Sequence, residues 1–306
     1  MLAWQGWQMR LPAEWNPVRL EGGYEAGSML VADLQGARLA LRWQRPGRRQ
    51  FDAARCVESA MEEELGRLAA AEARPMPLDG FDCSMLYVEQ QPPGRDLWTA
   101  YSPVSRRLVQ AVYRIRRREH LLAGVVLPCL RDTPPEEPSL WAVFDMCCVV
   151  PAGMKLLRHV LSAGDVSLCF AAGRQRLGVR QIAIADIALK RMPLEKWLAD
   201  EQRRLGRHYR ADGAVEAVEC AADGRTLAGL AQTLVRRKRF FWMADLPRTV
   251  FCMALHDRQR NRLLLVHGSD AALVRQTVPT MTRTDCGRNA GGQYTAAGQS
   301  CGADGR

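Results

Sequence analysis

The sequence predicts an α+β fold: two tandem α/β sandwich repeats, each an antiparallel sheet flanked by helices in the order β4-α-β3-α, and then a disordered tail. Three observations predict it. The hydrophobic period switches from two residues to three-and-four and back again within each half of the chain. "RDTPPEEPS" (Arg131 to Ser139) is a polar, proline-rich break near the middle. Finally, "GSMLVADLQGARLALRWQ" lies over "DVSLCFAAGRQRLGVRQI", each reading as strand, Gly-containing turn, Arg-Leu step and strand. The predicted division is 1–131 for the first repeat, 132–140 for the linker, 141–281 for the second repeat and 282–306 for the tail.

The elements follow in order. Trp7, Met9 and Leu11 alternate with Gln8 and Arg10, the period of a half-buried strand. Val18 and Leu20 repeat that pattern, Ser28–Leu34 is a more continuous apolar run, and Leu39, Leu41 and Trp43 alternate again. Between Phe51 and Ala71 the apolar positions Val57, Ala60, Met61, Leu65 and Leu68 recur at helical spacing, predicting one amphipathic helix. Strand patterns return at "FDCSMLYVE", "DLWTAYS" and "RRLVQAVYRIR", where Val109, Ala111, Tyr113 and Ile115 share a face. Glu119–Leu130 is expected to close the repeat as a helix, with Pro128 near its end.

From Trp141 the programme restarts. "WAVFDMCCVV" is a strand ending at Pro151, and "MPLEKWLADEQRRLGRHY" is a helix with Leu194, Trp197, Leu198 and Leu205 as its stripe. "AVEAVECA", "RTLAGLAQTLVRR", "RFFWMADLP" and "RTVFCMALHDR" read as strands. "RLLLVHGSDAALVRQTV" is a short strand and a helix capped by Ser269 or Asp270. The tail is poor in large apolar residues and is expected to stay disordered.

A strand running into "P-x-x-W", carried here by Leu11, Pro12, Ala13, Glu14 and Trp15, resembles the PsbP, DcrB and Mog-type superfamily. The second half keeps Val150, Pro151, Ala152 and Gly153 but has Met154 where the tryptophan would fall. The resemblance implies a compact, non-catalytic interaction or assembly scaffold. It names no partner for this chain.

Bulk properties narrow the function further. No apolar run approaches the roughly 18–20 residues that cross a bilayer. The N-terminus lacks the basic start and apolar core of a secretory signal, so the expected location is the cytoplasm. The ten cysteines include no C-x-x-C pair and no zinc-like spacing. Cys56, Cys83, Cys129, Cys169, Cys220 and Cys252 fall in apolar patterns and read as reduced, core-filling thiols; the adjacent Cys147 and Cys148 read the same way, with a vicinal disulfide as the alternative, and Cys286 and Cys301 in the tail are two cysteines without further ligands, a weak basis for pairing or metal binding. No glycine-rich phosphate loop stands in a strand-loop-helix context, so no cofactor and no metal is expected.

Candidate sites are few. His267 beside Ser269 and Asp270 suggests a nucleophile and base, but a strand-to-helix turn with a cap explains the same letters. The acidic pairs in "MEEELGR" and "PPEEPS" lie on a solvated helix face and in the linker, so neither predicts acid catalysis. The net charge is +10, carried mostly by arginine. Arg116, Arg117 and Arg118, then Arg236, Arg237 and Lys238, then Arg258, Arg260 and Arg262 form three basic clusters near aromatic residues. The expectation is a non-enzymatic module for a protein partner, with nucleic-acid or polyanion binding through an arginine-rich rim as the alternative.

Overall fold

The structure is a computed structural model describing residues 1–47, 51–89, 94–115, 121–206, 208–222, 225–237 and 246–282. The chain opens with a hairpin, β1 (Leu2–Trp4) and β2 (Trp7–Met9), turned by Gln5 at a φ of 54° and Gly6 at 88°. A meander follows: β3 (Asn16–Gly22), β4 (Ala26–Asp33) and β5 (Gly36–Gln44). Helix α1 (Ala53–Leu65) starts where the Asp52 carboxylate accepts a hydrogen bond from the Arg55 N–H. It ends at Gly66 and is followed by the single turn α2 (Arg67–Ala70). Then come β6 (Arg74–Pro75), β7 (Asp82–Val88), β8 (Gly94–Ser102) and β9 (Arg107–Ile115).

After a π turn (Leu122–Val126), a 3-10 turn (Leu127–Cys129) and β10 (Arg131–Asp132), a second hairpin appears: β11 (Ser139–Val143) and β12 (Met146–Val150). The second meander is β13 (Lys155–Ser162), β14 (Asp165–Ala172) and β15 (Gln175–Ala183). Helices α3 (Ala185–Arg191) and α4 (Leu194–Leu205) lead to β16 (Tyr209–Ala222), β17 (Arg225–Arg236), β18 (Thr249–Asp257) and β19 (Arg262–Gly268). Helix α5 (Ala271–Thr277), capped by the Asp270 carboxylate, and a 3-10 turn (Val278–Thr282) complete the described chain.

These strands form three antiparallel sheets. Two are seven-stranded and share one strand order: β3-β4-β5-β9-β8-β7-β6 and β13-β14-β15-β19-β18-β17-β16. The third joins the halves as β10-β2-β1-β11-β12. Its middle pairing sets Ala3 opposite Ala142, and each alanine lies two residues before a left-handed turn residue, Gln5 or Phe144 (φ 53°). The registers place Leu2, Trp4, Trp7, Met9, Trp141, Val143, Met146, Cys148 and Val150 on one face of this central sheet. That face and the inward faces of both seven-stranded sheets share one continuous core. Trp4 meets Trp141 edge-on at 5.1 Å, Trp141 meets Phe170 at 4.9 Å, and Trp7 stacks on Phe81 at 6.2 Å.

The outer faces are covered locally. Val57, Ala60 and Met61 of α1 pack over Tyr101, Leu108 and Leu97, while Trp197 and Leu198 of α4 pack with Leu234, Val250, Ala254, Leu263 and Leu265.

One buried cation ties the first half together. Arg107 is 0% exposed, and its guanidinium donates to Ser105 Oγ, to the Gln5 and Tyr24 carbonyls at 2.8 Å each, and to the Asp132 carboxylate. It lies between the Trp7 and Tyr24 rings, 4.4 and 4.1 Å from their centroids. Burial pushes the Tyr24 hydroxyl up to about 12. In the second half Arg262 takes the matching place at the start of β19. It pairs with the Asp145 carboxylate at 2.6 Å and donates to the Asp145 carbonyl at 3.0 Å. Each arginine therefore pins the turn of the adjacent central hairpin.

The expected α+β class is overturned. Strand makes up 52% and helix 22%, in three sheets with few helices, so this is a predominantly antiparallel β protein and not sandwiches with helices flanking each sheet. The reasons are local. The apolar run after Glu119 is helical over its described residues 121–129, as expected, but as a short π and 3-10 segment with Pro128 inside the 3-10 turn, so it adds no long helix to flank a sheet. The hairpin strands, assigned by sequence to the sandwiches, leave them to build a separate sheet. Leu2–Trp4 went unseen because three consecutive buried residues show no alternation. Within the 132–140 stretch, Asp132 lies in β10 and Ser139 and Leu140 lie in β11. Cys148 is a free thiol pushed up to about 12 by burial, whereas Cys147 on the opposite face is disulfide-bonded, correcting the expectation of two reduced thiols. The expected strand "RFFWMADLP" lies mostly, and the 282–306 tail almost wholly, outside the described residues.

Removing one partner of a buried ion pair strands the other charge. Asp132→Ala, which strands the guanidinium, and Arg107→Met, which strands the carboxylate, are each expected to destabilise the protein by about 3–5 kcal/mol in denaturant titration, and the double variant should cost less than the two single losses added together. Strictly additive losses in the double variant would refute this account.

Candidate interaction surface

The predicted basic rim is only partly assembled. Arg116, Arg117, Arg118 and Lys238 lie outside the described residues. Arg258, Arg260 and Arg262 sit on the β18–β19 connection, whose counterpart in the first sheet is the β8–β9 turn; Arg106 (φ 57°) and Asn261 (φ 53°) take the same left-handed position. Arg262 is committed to Asp145, and Arg236 donates to the Leu246 carbonyl at 2.8 Å. Other cations are committed in the same way. Arg180 is gripped by both Asp165 oxygens at 2.8 and 2.6 Å and by Glu201, and Arg225 by Asp257 at 3.0 Å. The Arg180 hydrogen bond holds the Asp165 carboxyl below the usual range. Much of the arginine in this chain is structural.

The His267 cluster contains no relay. Ser269 Oγ accepts from the Arg176 N–H at 3.1 Å, and the Asp270 carboxylate caps α5 through Ala272. The His267 ring lies against Gly178, where even an added Cβ would come within 2.1 Å of Nε2. Burial first, and then Arg158, pull its pKa down to about 4. Among the described residues no group of three or more His, Cys, Asp or Glu is placed to hold a metal ion, and no helix is long and apolar enough to cross a membrane.

What sequence reasoning missed is an edge. Each seven-stranded sheet has two edge strands, and three of the four are blunted. β3 carries Pro17 and a register shift. β6 is two residues long and ends in Pro75. β13 is bulged and bears Lys155 and Arg158. Cations, prolines, bulges and shortness are the usual defences of a sheet edge. The fourth edge, β16, runs for 14 residues and, among the described residues, pairs on one side only, with β17. Its bulge lies between Asp212 and Glu216, beyond which Glu216–Ala222 keeps an unbroken register. This stretch alternates in burial: Glu216, Ala217, Glu219 and Ala221 are exposed, while Val218 and Cys220 pack partly against the core.

Two cavities adjoin this strand, on opposite faces of the sheet. One, of about 400 Å³, is lined by Val218, Cys220, Met253, Arg275 and Pro279. The other, of about 460 Å³, lies between α4 and the start of β16. The signal in the sequence was the length of the Ala/Val-rich run after Gly213, which contains no proline.

No protein-family model matches the chain, and no curated protein matches it.

A histidine whose folded pKa is depressed opposes protonation, so stability is expected to rise between about pH 4 and 6.5 and to level off above. The slope reaches at most about 1.4 kcal/mol per pH unit from this one group. In His267→Ala that part of the pH profile should flatten; an unchanged profile would assign the dependence to other groups.

Proposed function

We propose that this chain is a non-enzymatic interaction module that accepts an extended segment of a protein partner as an additional strand along Glu216–Ala222. One observation carries the reading: among the described residues a long, proline-free edge strand pairs on one side only, while the other three edges of the two seven-stranded sheets are blunted. In strand addition, main-chain hydrogen bonds supply affinity and pockets beside the edge read alternate side chains. The cavity beside Val218 and Cys220 is suited to one apolar side chain, with Arg275 at its rim. Exposed Glu216 and Glu219 favour a segment with basic side chains facing them. The rigid hydrogen-bonded sheet behind β16, held by β17 and β18, supplies a preformed template, so the entropy of ordering falls on the partner alone.

The test is selection of displayed random ten-residue peptides against the full chain, followed by hydrogen exchange on the complexes. Selected peptides should protect amides within 214–222 and alternate apolar with basic positions. Proline placed singly along Ala214–Ala221 should abolish binding at positions whose N–H points outward while leaving thermal stability within a few degrees. Peptides that protect another surface, or binding that survives every proline, would refute it.

A further inference from the structure

One face of β16 carries charges of opposite sign on either side of an apolar middle. Along Glu216–Ala222 the register with β17 sends Glu216, Val218 and Cys220 to one face and Ala217, Glu219 and Ala221 to the other. The first is the face of the 400 Å³ cavity, because Val218 and Cys220 pack with Phe251 and Met253 toward the shared core. Cys220 Sγ lies 3.6 Å from Met253 Sδ, so the cavity floor is apolar and polarisable.

Arg275, in the last turn of α5, lines the same cavity with its guanidinium 5.5 Å from the Phe251 ring centroid. It is exposed and has no carboxylate partner among the described residues. It stands close enough to Cys220 for its charge to oppose the burial that raises this thiol's pKa. Glu216, also exposed, lies four residues back, about 13 Å along the strand. An acid at one end and a cation at the other thus bracket Val218 on a single face. A guanidinium stacked by its flat side keeps its donor edge for the two oxygens of a carboxylate.

We propose, resting on strand addition at this edge, that Arg275 selects an acidic side chain, so that the partner segment reads acidic-x-apolar-x-basic from its N-terminus to its C-terminus. The order follows from the sheet. Its strands are antiparallel throughout, and a strand added in the same sense runs from the Cys220 end of β16 towards Glu216. Alternate residues of that strand face the cavity: the first meets Arg275 beside Cys220, the next lies over Val218, and the third faces Glu216. Opposite charges across neighbouring strands stabilise the pairing and fix its register. The segment's own C-terminus falls beyond Glu216, away from Arg275, so the carboxylate is that of an Asp or Glu side chain.

Random ten-residue peptides, displayed with their C-termini fused so that side chains offer the only carboxylates, are selected in parallel against the full chain and against Arg275→Glu. Position 275 is exposed, so its variants should keep the folded spectrum. Peptides selected on the unsubstituted chain should carry Asp or Glu two positions before an apolar residue and Lys or Arg two positions after it. On Arg275→Glu the first of these positions should turn basic. With synthetic, amidated peptides, Gln in place of the acidic residue should weaken binding about two- to fivefold, the range for an exposed ion pair, and the difference should vanish in Arg275→Gln. Loss of the Phe251 contact alone would weaken both peptides equally. Peptides that protect 214–222 from hydrogen exchange but show no acidic preference, or a preference that persists in Arg275→Gln, overturn the selection by Arg275 and leave strand addition standing. The reverse order of charges, or binding gained only by freeing the peptide's C-terminus, overturns it in the same way. Peptides that protect another surface, or an empty selection, overturn both.

Discussion

The antiparallel contact between β1 and β11 is the constraint on which the rest of the molecule depends. Ala3 and Ala142 face each other at its centre, fully buried, and their small side chains let the two hairpins meet without a bulge. Because side-chain direction alternates along a strand, this register sends Leu2, Trp4, Trp141 and Val143 to the same face. A slip of one residue would turn two tryptophans out of the core. The halves are therefore not beads on a string. They share a sheet, and through it a single hydrophobic core.

A shared sheet needs its turns held in place, and the chain does this with arginine. Arg107 and Arg262 start the last strand of their respective sheets and reach to the Gln5 and Asp145 turns of the two central hairpins. A guanidinium suits this role because its planar donors serve several acceptors at once and its flat face stacks on aromatic rings. The two solutions differ. In the first half the partner carboxylate, Asp132, comes from the strand that follows the closing turns, and the pair is wholly enclosed. In the second it comes from the hairpin turn itself, and the Asp145 carboxylate is half exposed. The positive charge of the chain is thus distributed between internal ties and a smaller set of cations left facing solvent, among them Arg210 and Arg237.

The two seven-stranded sheets differ most at one end. Their strand orders agree, yet the strands at matching ends, β6 and β16, are two and 14 residues long. A two-residue edge ending in proline is closed to pairing, whereas a long edge without proline is a template. Cavities adjoin this template on both faces of the sheet.

By itself the sequence determined the local elements. Alternation located β3, β5 and β9, the three-and-four spacing of Val57, Ala60 and Met61 located α1, and the Asp270 cap marked the start of α5. These are legible because each depends on neighbours within a turn or a few residues. The tertiary structure alone decided that Leu2–Trp4 and Ser139–Val143 pair, that Arg107 belongs inside while Arg210 stays outside, and that β16 forms an open edge. A strand's pattern shows which face is buried but carries no label for its partner, and an arginine's burial depends on carbonyls and carboxylates brought to it from elsewhere in the chain. Pairing and charge placement arise only when distant segments meet.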